Sequence, residues 1–374
     1  MKICYVITQG CEIGGAQIHV RDLSVYFNDK NRVCVIVGEE GLLSEQLRER
    51  GVKCYIVPDL RREVNLYKDI RAIIKIRKLI LQEEFDLISL HSTKAGVVGR
   101  IAAFSLPSKV IFTAHGWSFA NGISPFKQKV YSFVERLLAP LANKIITVSS
   151  QDKELALQKK VSNYNQQVVI HNGMPQLEKT VVFSDATDIC QLVMIARFSE
   201  QKDHETLFAA LSNINDLNWH LELVGKGRLM SHFKKRAEDL GIADRVTFSG
   251  QRSDVDMLLC KKDIFLLISK WEGFPRSILE AMRARLPVIA SNVGGVSESV
   301  VDNYSGFLVE RGDQVTLEIK LRALMANKDL RQQFGSIGYA SYIDNFTFES
   351  MVRKTELVYS EVLCKQPNCV DLAE

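Results

Sequence analysis

The chain lacks any run of about 18 apolar residues, which leaves no candidate for a membrane-spanning helix. Its eight cysteines, at 4, 11, 34, 54, 190, 260, 364 and 369, show no C-x-x-C spacing. Several fall in apolar runs such as RVCVIV and LLCKKD, so reduced, mostly buried thiols of a cytosolic protein are expected. A large excess of either charge is also missing. A net +4 and a pI near 8.5 are too mild to argue for nucleic acid, and leave only a modest attraction to anionic surfaces. Repeats and low-complexity tracts are missing. So is the long apolar stretch of a signal peptide, and MKICYVITQGCEIGG reads as a first β-strand. No two histidines have H-x3-H spacing, and no cysteine stands near His91, His171 or His204, so zinc is not expected.

What is present is strand then helix, many times over. Apolar runs occur at 3–8, 33–37, 86–90, 109–113 and 144–148, separated by longer amphipathic segments. They do not alternate, as befits parallel strands covered on both faces. The pattern pauses after VVIHNGM (168–174), and 175–189 reads as a linker. A second series follows at 191–196, 219–224, 245–248, 263–268 and 287–290. The fold class predicted is α/β, with two doubly wound parallel-sheet domains facing across a cleft. Their bounds are 1–174 and 190–345. A closing helix within 346–374, with Tyr, Val and Leu on one face, packs back on the first domain.

In such sheets ligands sit at the carboxyl ends of the strands. Four signals lie there in the second half. ARFSEQKD places Arg197 and Lys202 after one strand, where two cations can clamp a diphosphate or simply be solvated. Asp203 suits the N-cap of the next helix. VGKGRL and SNVGGVSE are glycine turns that let backbone approach a ligand, each weak alone. EGFPRSILEAM puts Glu272 in a turn and Glu280 about one turn into a helix starting near Pro275 or Arg276, with Pro275 suited to the first helical position. A helix N-terminus favours a phosphate. Glu272 and Glu280 can then stand on either side of a diphosphate and accept bonds from hydroxyls. In isolation, Glu272 as a helix cap and Glu280 as a solvated helix residue is the better explanation.

Taken in order, GGAQ (14–17), TAHGW (113–117), HNGM (171–174), ARFSEQKD, VGKGRL, EGFPRSILEAM and GGVSESVVDNYSGFLV resemble the retaining glycosyltransferase family 4, which has the GT-B fold. The resemblance spans nearly the whole chain. It implies a nucleotide-sugar donor, a UDP-sugar by family tendency, bound mainly by the second domain. The acceptor, a glycan or polyisoprenyl-linked sugar of bacterial surface polysaccharide synthesis, would bind mainly to the first. No cofactor and no metal are implied.

Residue by residue, the resemblance implies that Arg197 and Lys202 hold the diphosphate, Glu280 the ribose and Glu272 the transferred sugar. Amides following Glu272, at Gly273 and Phe274, would assist. Gly15 would approach the phosphate, and His115 would sit near the anomeric carbon. Gly225, Gly227 and Gln251, with Gly250, would flank the base. Pro275 departs from the glycine many members carry, and has no N–H to offer.

Other residues carry competing readings. Asp254 and Asp256 form a literal D-x-D, but their position marks them as helix-start acids. Lys94 and Arg100 follow a strand and either face an anionic acceptor or are solvated. The stretch from Arg61 to Ile80 is basic and amphipathic, as is 126–141 in part, so both suit an anionic membrane surface or a core-packed helix. A sugar phosphorylase, a nucleotide-sugar epimerase and a non-catalytic nucleotide-sugar binder remain alternatives. A nicotinamide-dependent oxidoreductase would want G-x-G-x-x-G where GCEIGGAQ stands.

Overall fold

The computed structural model describes residues 1–11, 14–120, 122–177 and 188–364. They form two compact units, one of Met1–His171 with the chain from Met351 onward, the other Asn172–Ser350. Most of the expected linker (178–187) and the end of the expected closing helix (365–374) lie outside the described residues.

The first unit holds seven strands: β1 Lys2–Ile7, β2 Arg32–Val37, β3 Lys53–Ile56, β4 Leu87–His91, β5 Lys109–Ala114, β6 Lys144–Thr147 and β7 Gln167–Val169. All pair in parallel, in the order β3-β2-β1-β4-β5-β6-β7. The helices are α1 Gly15–Asn28, α2 Leu42–Glu49, α3 Leu66–Glu83, α4 Thr93–Ala103, α5 Pro125–Leu138 and α6 Ser150–Gln158. The central strands are buried along nearly their whole length, which is why they read as unbroken apolar runs.

The second unit has six parallel strands: β8 Cys190–Ile195, β9 Trp219–Val224, β10 Val246–Gly250, β11 Ile264–Leu267, β12 Val288–Ser291 and β13 Gly306–Val309. Their order is β10-β9-β8-β11-β12-β13. Its helices are α7 His204–Ser212, α8 Met230–Asp239, α9 Val255–Leu259, α10 Arg276–Arg283, α11 Gln314–Ala326 and α12 Lys328–Asn345. In each sheet the chain first winds one way and then the other. The reversals fall between β1 and β4 and between β8 and β11, the places where ligands enter such folds. The last helix, α13 Phe348–Leu363, packs on the first unit from Met351 onward. Tyr359 stacks on Phe27 at 5.3 Å, and Met351, Val352 and Val358 are buried beside it. Leu357, expected on the same face, is exposed instead, because its position falls on the opposite side of the helix.

Three further expectations are corrected. Of the seven described cysteines, only Cys4 and Cys34 are buried, and Cys11 and Cys364 are exposed. The apolar runs around the others belong to strand ends and short helices, where only part of the surface is covered. Pro275 stands at the N-cap of α10, one residue before the first helical position. Arg100 neither is solvated nor faces outward. It is fully buried on α4, donates from Nε to the Gly96 carbonyl at 2.8 Å, and pairs with Glu135 of α5 at 2.6 Å, its guanidinium 4.5 Å from the Phe112 ring. A lone helical cation looks solvated in sequence, and its partner lies on a different helix. The expected helix-start reading of Asp254 and Asp256 agrees with their places at the N-cap and first turn of α9, bonded to Arg252 and Arg283.

Breaking a buried pair leaves one uncompensated charge, at a typical cost of about 3–5 kcal/mol, whereas replacing both partners by apolar groups is near neutral. Arg100→Met should therefore lower denaturant stability by about 3 kcal/mol. The double variant Arg100→Met/Glu135→Leu should recover most of that loss, and additive losses in the two would refute the pairing.

Candidate active site

In the second unit the loops leaving β8, β9, β10 and β11 are bound to one another by their backbones. Phe198 N–H donates to the Lys226 carbonyl at 3.0 Å and Ala196 N–H to Val224 at 2.9 Å. Gly225 N–H donates to Gly250 at 2.8 Å. A Cβ on Gly225 would fall 2.0 Å from the Ala196 carbonyl oxygen, and one on Gly227 2.3 Å from that of Phe198. Only glycine lets the β9 turn lie against the carbonyls on either side of Arg197. Arg197 itself is exposed, and among the described residues its guanidinium makes no ion pair or hydrogen bond. Gln251, just past β10, is exposed as well.

Across the β8/β11 reversal the stitching continues. Lys202 bridges Ser269, Asp203 N–H donates to Ile268 at 2.9 Å, and Lys270 N–H donates to Gln201 at 2.8 Å. Asp203 caps α7 through Thr206, as expected. The Glu272 carboxylate takes both partners from the opposite loop. Lys202 Nζ pairs with Oε1, and Gln201 Nε2 donates to Oε2 at 3.2 Å. Both charged side chains are largely covered, at 12% and 7% exposure, so the pair is screened far less than a surface one. Gly294 supports this turn from behind. Its φ of +58° suits glycine, and a Cβ there would meet the Glu272 carbonyl oxygen at 2.0 Å, while Gly295 N–H donates to Gly273 at 2.7 Å.

The turn then enters α10. Phe274 is buried against Phe346 at 5.3 Å, and its carbonyl accepts from Asn172 at 2.8 Å, so its ring belongs to the core. Glu280, the fifth residue of α10, is half-buried, and among the described residues its carboxylate accepts no hydrogen bond. Burial pushes its carboxyl above the usual range, against the pull of Arg276 and Arg283. Those two arginines are themselves engaged, Arg276 with the Gly173 carbonyl at 3.2 Å and Arg283 with that of Pro175 at 2.7 Å.

In the first unit, Gly15 opens α1, and Gly14 before it donates to Gln17 Oε1 at 3.2 Å. His115 follows β5 directly and is half-buried. Two residues that no sequence spacing marked stand with it, His91 at the end of β4 and His19 on α1. Their donor atoms and that of His115 lie within 4.8 Å of one another, the one such group among the described residues. The neighbouring positions of β4 and β5 in the sheet set His91 beside His115. Lys94 is held by Asp69 of α3, with Nζ 2.6 and 2.5 Å from the two carboxylate oxygens, so an acceptor anion would have to compete with that pair.

Residues 13–175 match the family model described as Glycosyltransferase Family 4, and residues 185–341 the one described as Glycosyl transferases group 1. The chain is 29% identical over 331 residues to a UDP-Gal:alpha-D-GlcNAc-diphosphoundecaprenol alpha-1,3-galactosyltransferase of Escherichia coli, covering 84% of this chain and 85% of that one. It is 27% identical over 309 residues to the O-antigen biosynthesis glycosyltransferase WbnH of Escherichia coli, covering 83% and 86%. Among solved structures it is similar in fold to HepE of Anabaena in complex with UDP and glucose, with TM-score 0.83, 21% identity, and 96% and 99% of the chains covered. The two parallel-sheet domains are those of the expected fold class.

Glu280 offers a pH test. Its folded-state value is raised above the unfolded one. Its ionised form therefore lowers stability, and stability is lost as pH rises from about 4.3 through the raised value. Glu280→Gln should melt at or above the temperature of the unaltered chain at neutral pH, with the difference closing near pH 4. A variant that is less stable at neutral pH would show the carboxylate to be held by attraction.

Proposed function

Since this chain belongs to glycosyltransferase family 4, we propose that it moves a hexose or N-acetylhexosamine from a UDP-sugar to a glycan or polyisoprenyl-linked sugar, with retention and without a metal ion. The named activities of the two Escherichia coli relatives and the ligands of HepE support the donor class and a role in surface polysaccharide assembly. One observation carries the reading. At the reversal of the second sheet, Lys202, Gln201 and Glu272 form one hydrogen-bonded network, and the loop that carries Lys202 and Gln201 also carries the exposed Arg197.

The network divides the labour. A phosphate reaching Lys202 meets an ammonium already paired with Glu272, so Arg197 supplies the uncompensated positive charge. Negative charge grows on the β-phosphate as the anomeric C–O bond breaks, and fixed cations there lower the barrier. Glu272 accepts hydrogen bonds from the sugar and positions it. Glu280, with open acceptor capacity, takes the ribose hydroxyls. Gly225, Gly227 and Gln251 lie beside the base. The acceptor oxygen then bonds to the anomeric carbon from the face the phosphate leaves, and its proton passes to that phosphate. Metal independence fits a site whose countercharge comes from side chains.

The acceptor side of the proposal rests on α3, α4 and α5, where α4 packs against both neighbours. Leu66, Tyr67, Ile70 and Ile74 of α3 and Phe126, Phe133 and Leu137 of α5 are exposed apolar residues. Lys68, Lys78, Lys127 and Lys129 share these helices. Apolar side chains set among cations suit an anionic bilayer surface, on the cytoplasmic side where a polyisoprenyl-linked acceptor would be presented. Among the described residues no helix is long and apolar enough to cross the membrane.

Two measurements test the reading. By calorimetry, Lys202→Ala should weaken UDP binding roughly ten- to hundredfold, because it also leaves Glu272 bare beside the phosphate. Glu272→Gln should keep UDP binding while transfer is lost, and wild-type turnover in that variant would contradict its role. Donor consumption that needs no acceptor would point instead to a phosphorylase or epimerase. In flotation at low salt, vesicles containing anionic phosphatidylglycerol should carry the protein up, and phosphatidylcholine vesicles should not. Absence from both fractions removes the membrane proposal.

A further inference from the structure

Lys202 faces Ser269 as an antiparallel pair whose hydrogen bonds run through the neighbours. They go from Asp203 N–H to the Ile268 carbonyl and from Lys270 N–H to that of Gln201. In a pair of this kind the residue's own N–H and C=O point away from the partner segment. Both groups of Lys202 must then find partners on the far side. The N–H turns back to the Ser199 carbonyl at 3.1 Å. The carbonyl accepts from His204, the first residue of α7, whose Nδ1 lies 3.3 Å away.

The chemistry of that contact fixes the state of the imidazole. A carbonyl only accepts, so Nδ1 carries the hydrogen. His204 is fully buried, and burial lowers its pKa to about 4, so the ring is neutral and Nε2 is a bare lone pair. That nitrogen is buried and has no hydrogen-bond partner among the described residues. The ring is held by stacking. It lies on Phe198, with centroids 4.7 Å apart and planes 18° from parallel, and Phe233 is 4.9 Å away. Phe198 is itself fixed, its N–H bonded to the Lys226 carbonyl and its own carbonyl to Leu229 N–H. Packing alone would favour phenylalanine at 204, which stacks as well and buries no lone pair. An unpaired buried acceptor is a cost. What the imidazole sets against it is the hydrogen on Nδ1.

We propose that His204 is a positioning residue for the diphosphate clamp: its Nδ1–H, aligned by stacking on Phe198, holds the Lys202 carbonyl and so sets where the Lys202 ammonium stands. Being fully buried, His204 touches no substrate itself. The consequence for binding rests on the reading of Lys202 as a phosphate ligand. The fixing of the loop does not.

Two substitutions separate the hydrogen bond from the ring. His204→Phe keeps the stacking and removes the donor. His204→Asn sets an amide N–H near the place of Nδ1 and removes the ring. Calorimetry with UDP and thermal melting should then move in opposite senses. His204→Phe should melt close to the unaltered chain yet bind UDP roughly fivefold more weakly, the scale of one hydrogen bond. His204→Asn should melt lower, because a cavity replaces the ring. Below its melting range it should nevertheless bind UDP more tightly than His204→Phe does. Affinities that simply follow the melting temperatures overturn the proposal, as does unaltered UDP affinity in His204→Phe. Hydrogen exchange of the full chain, read by mass spectrometry over residues 197–203, needs no ligand. Exchange there should rise in His204→Phe while that of β8 and β9 stays as it was. Unchanged exchange in that loop overturns the proposal even if His204→Asn fails to fold. If the unaltered chain binds no UDP at all, the functional reading fails, and the exchange result still decides whether His204 holds the loop.

Discussion

The ion pair of Lys202 and Glu272 is the constraint on which the second unit's site depends. It joins the loop after β8 to the loop after β11, across the reversal of strand order. Two charges held at low exposure lose hydration, and that loss is offset only by good geometry and further hydrogen bonds. Gln201 supplies one to the second carboxylate oxygen, and the backbone bridge of Lys202 to Ser269 holds the ammonium's own segment in place. The two loops thus fix each other before any substrate contact is considered. Preorganised charge of this kind needs no rearrangement when negative charge develops nearby.

Glycine makes the arrangement possible without being part of it. Gly225 and Gly227 press one turn against the carbonyls beside Arg197, and Gly294 presses another against the carbonyl of Glu272. In each case a side chain would collide with backbone, which cannot swing aside as a flexible side chain can. A methyl group at any of the three would therefore act on a charged residue at second hand, by moving the loop that carries it. That explains why weak motifs such as VGKGRL and SNVGGVSE sit beside residues with chemistry to offer, although neither motif is informative alone.

Much of the fold was legible because central parallel strands are covered on both faces and their sequences run apolar without a break. The two strands that went unread, β3 and β13, are edge strands. β3 and β7 end one sheet and β13 ends the other, each three or four residues long. β3 is only half-covered, so KCYI mixes polar and apolar residues. The site was legible to the same extent. Arg197, Lys202 and Glu272 stood out as candidates because each follows a strand, which is a local fact. That Lys202 pairs with Glu272, or Arg100 with Glu135, is a fact about strand order and helix packing, and no local pattern encodes it. His91 sat in plain view at the end of an apolar run. Only its neighbour on the next strand gives it meaning.

The last helix shows how a packing requirement can become a chemical one. Its ion pair of Lys144 with Glu361 involves a carboxylate that is 57% exposed, and such pairs contribute little. What holds α13 on the first unit is the burial of Met351, Val352, Val358 and Tyr359. A phenylalanine at 359 would stack on Phe27 as well as tyrosine does. The hydroxyl adds a polar group that must find partners once buried, and its partners are Ser89 and Tyr5, on the strands β4 and β1 that flank the reversal of the first sheet. Packing alone therefore gives no reason for the oxygen. What the oxygen adds is a polar tie from the last helix to both strands, and Ser89 in turn meets the His91 imidazole beside His115.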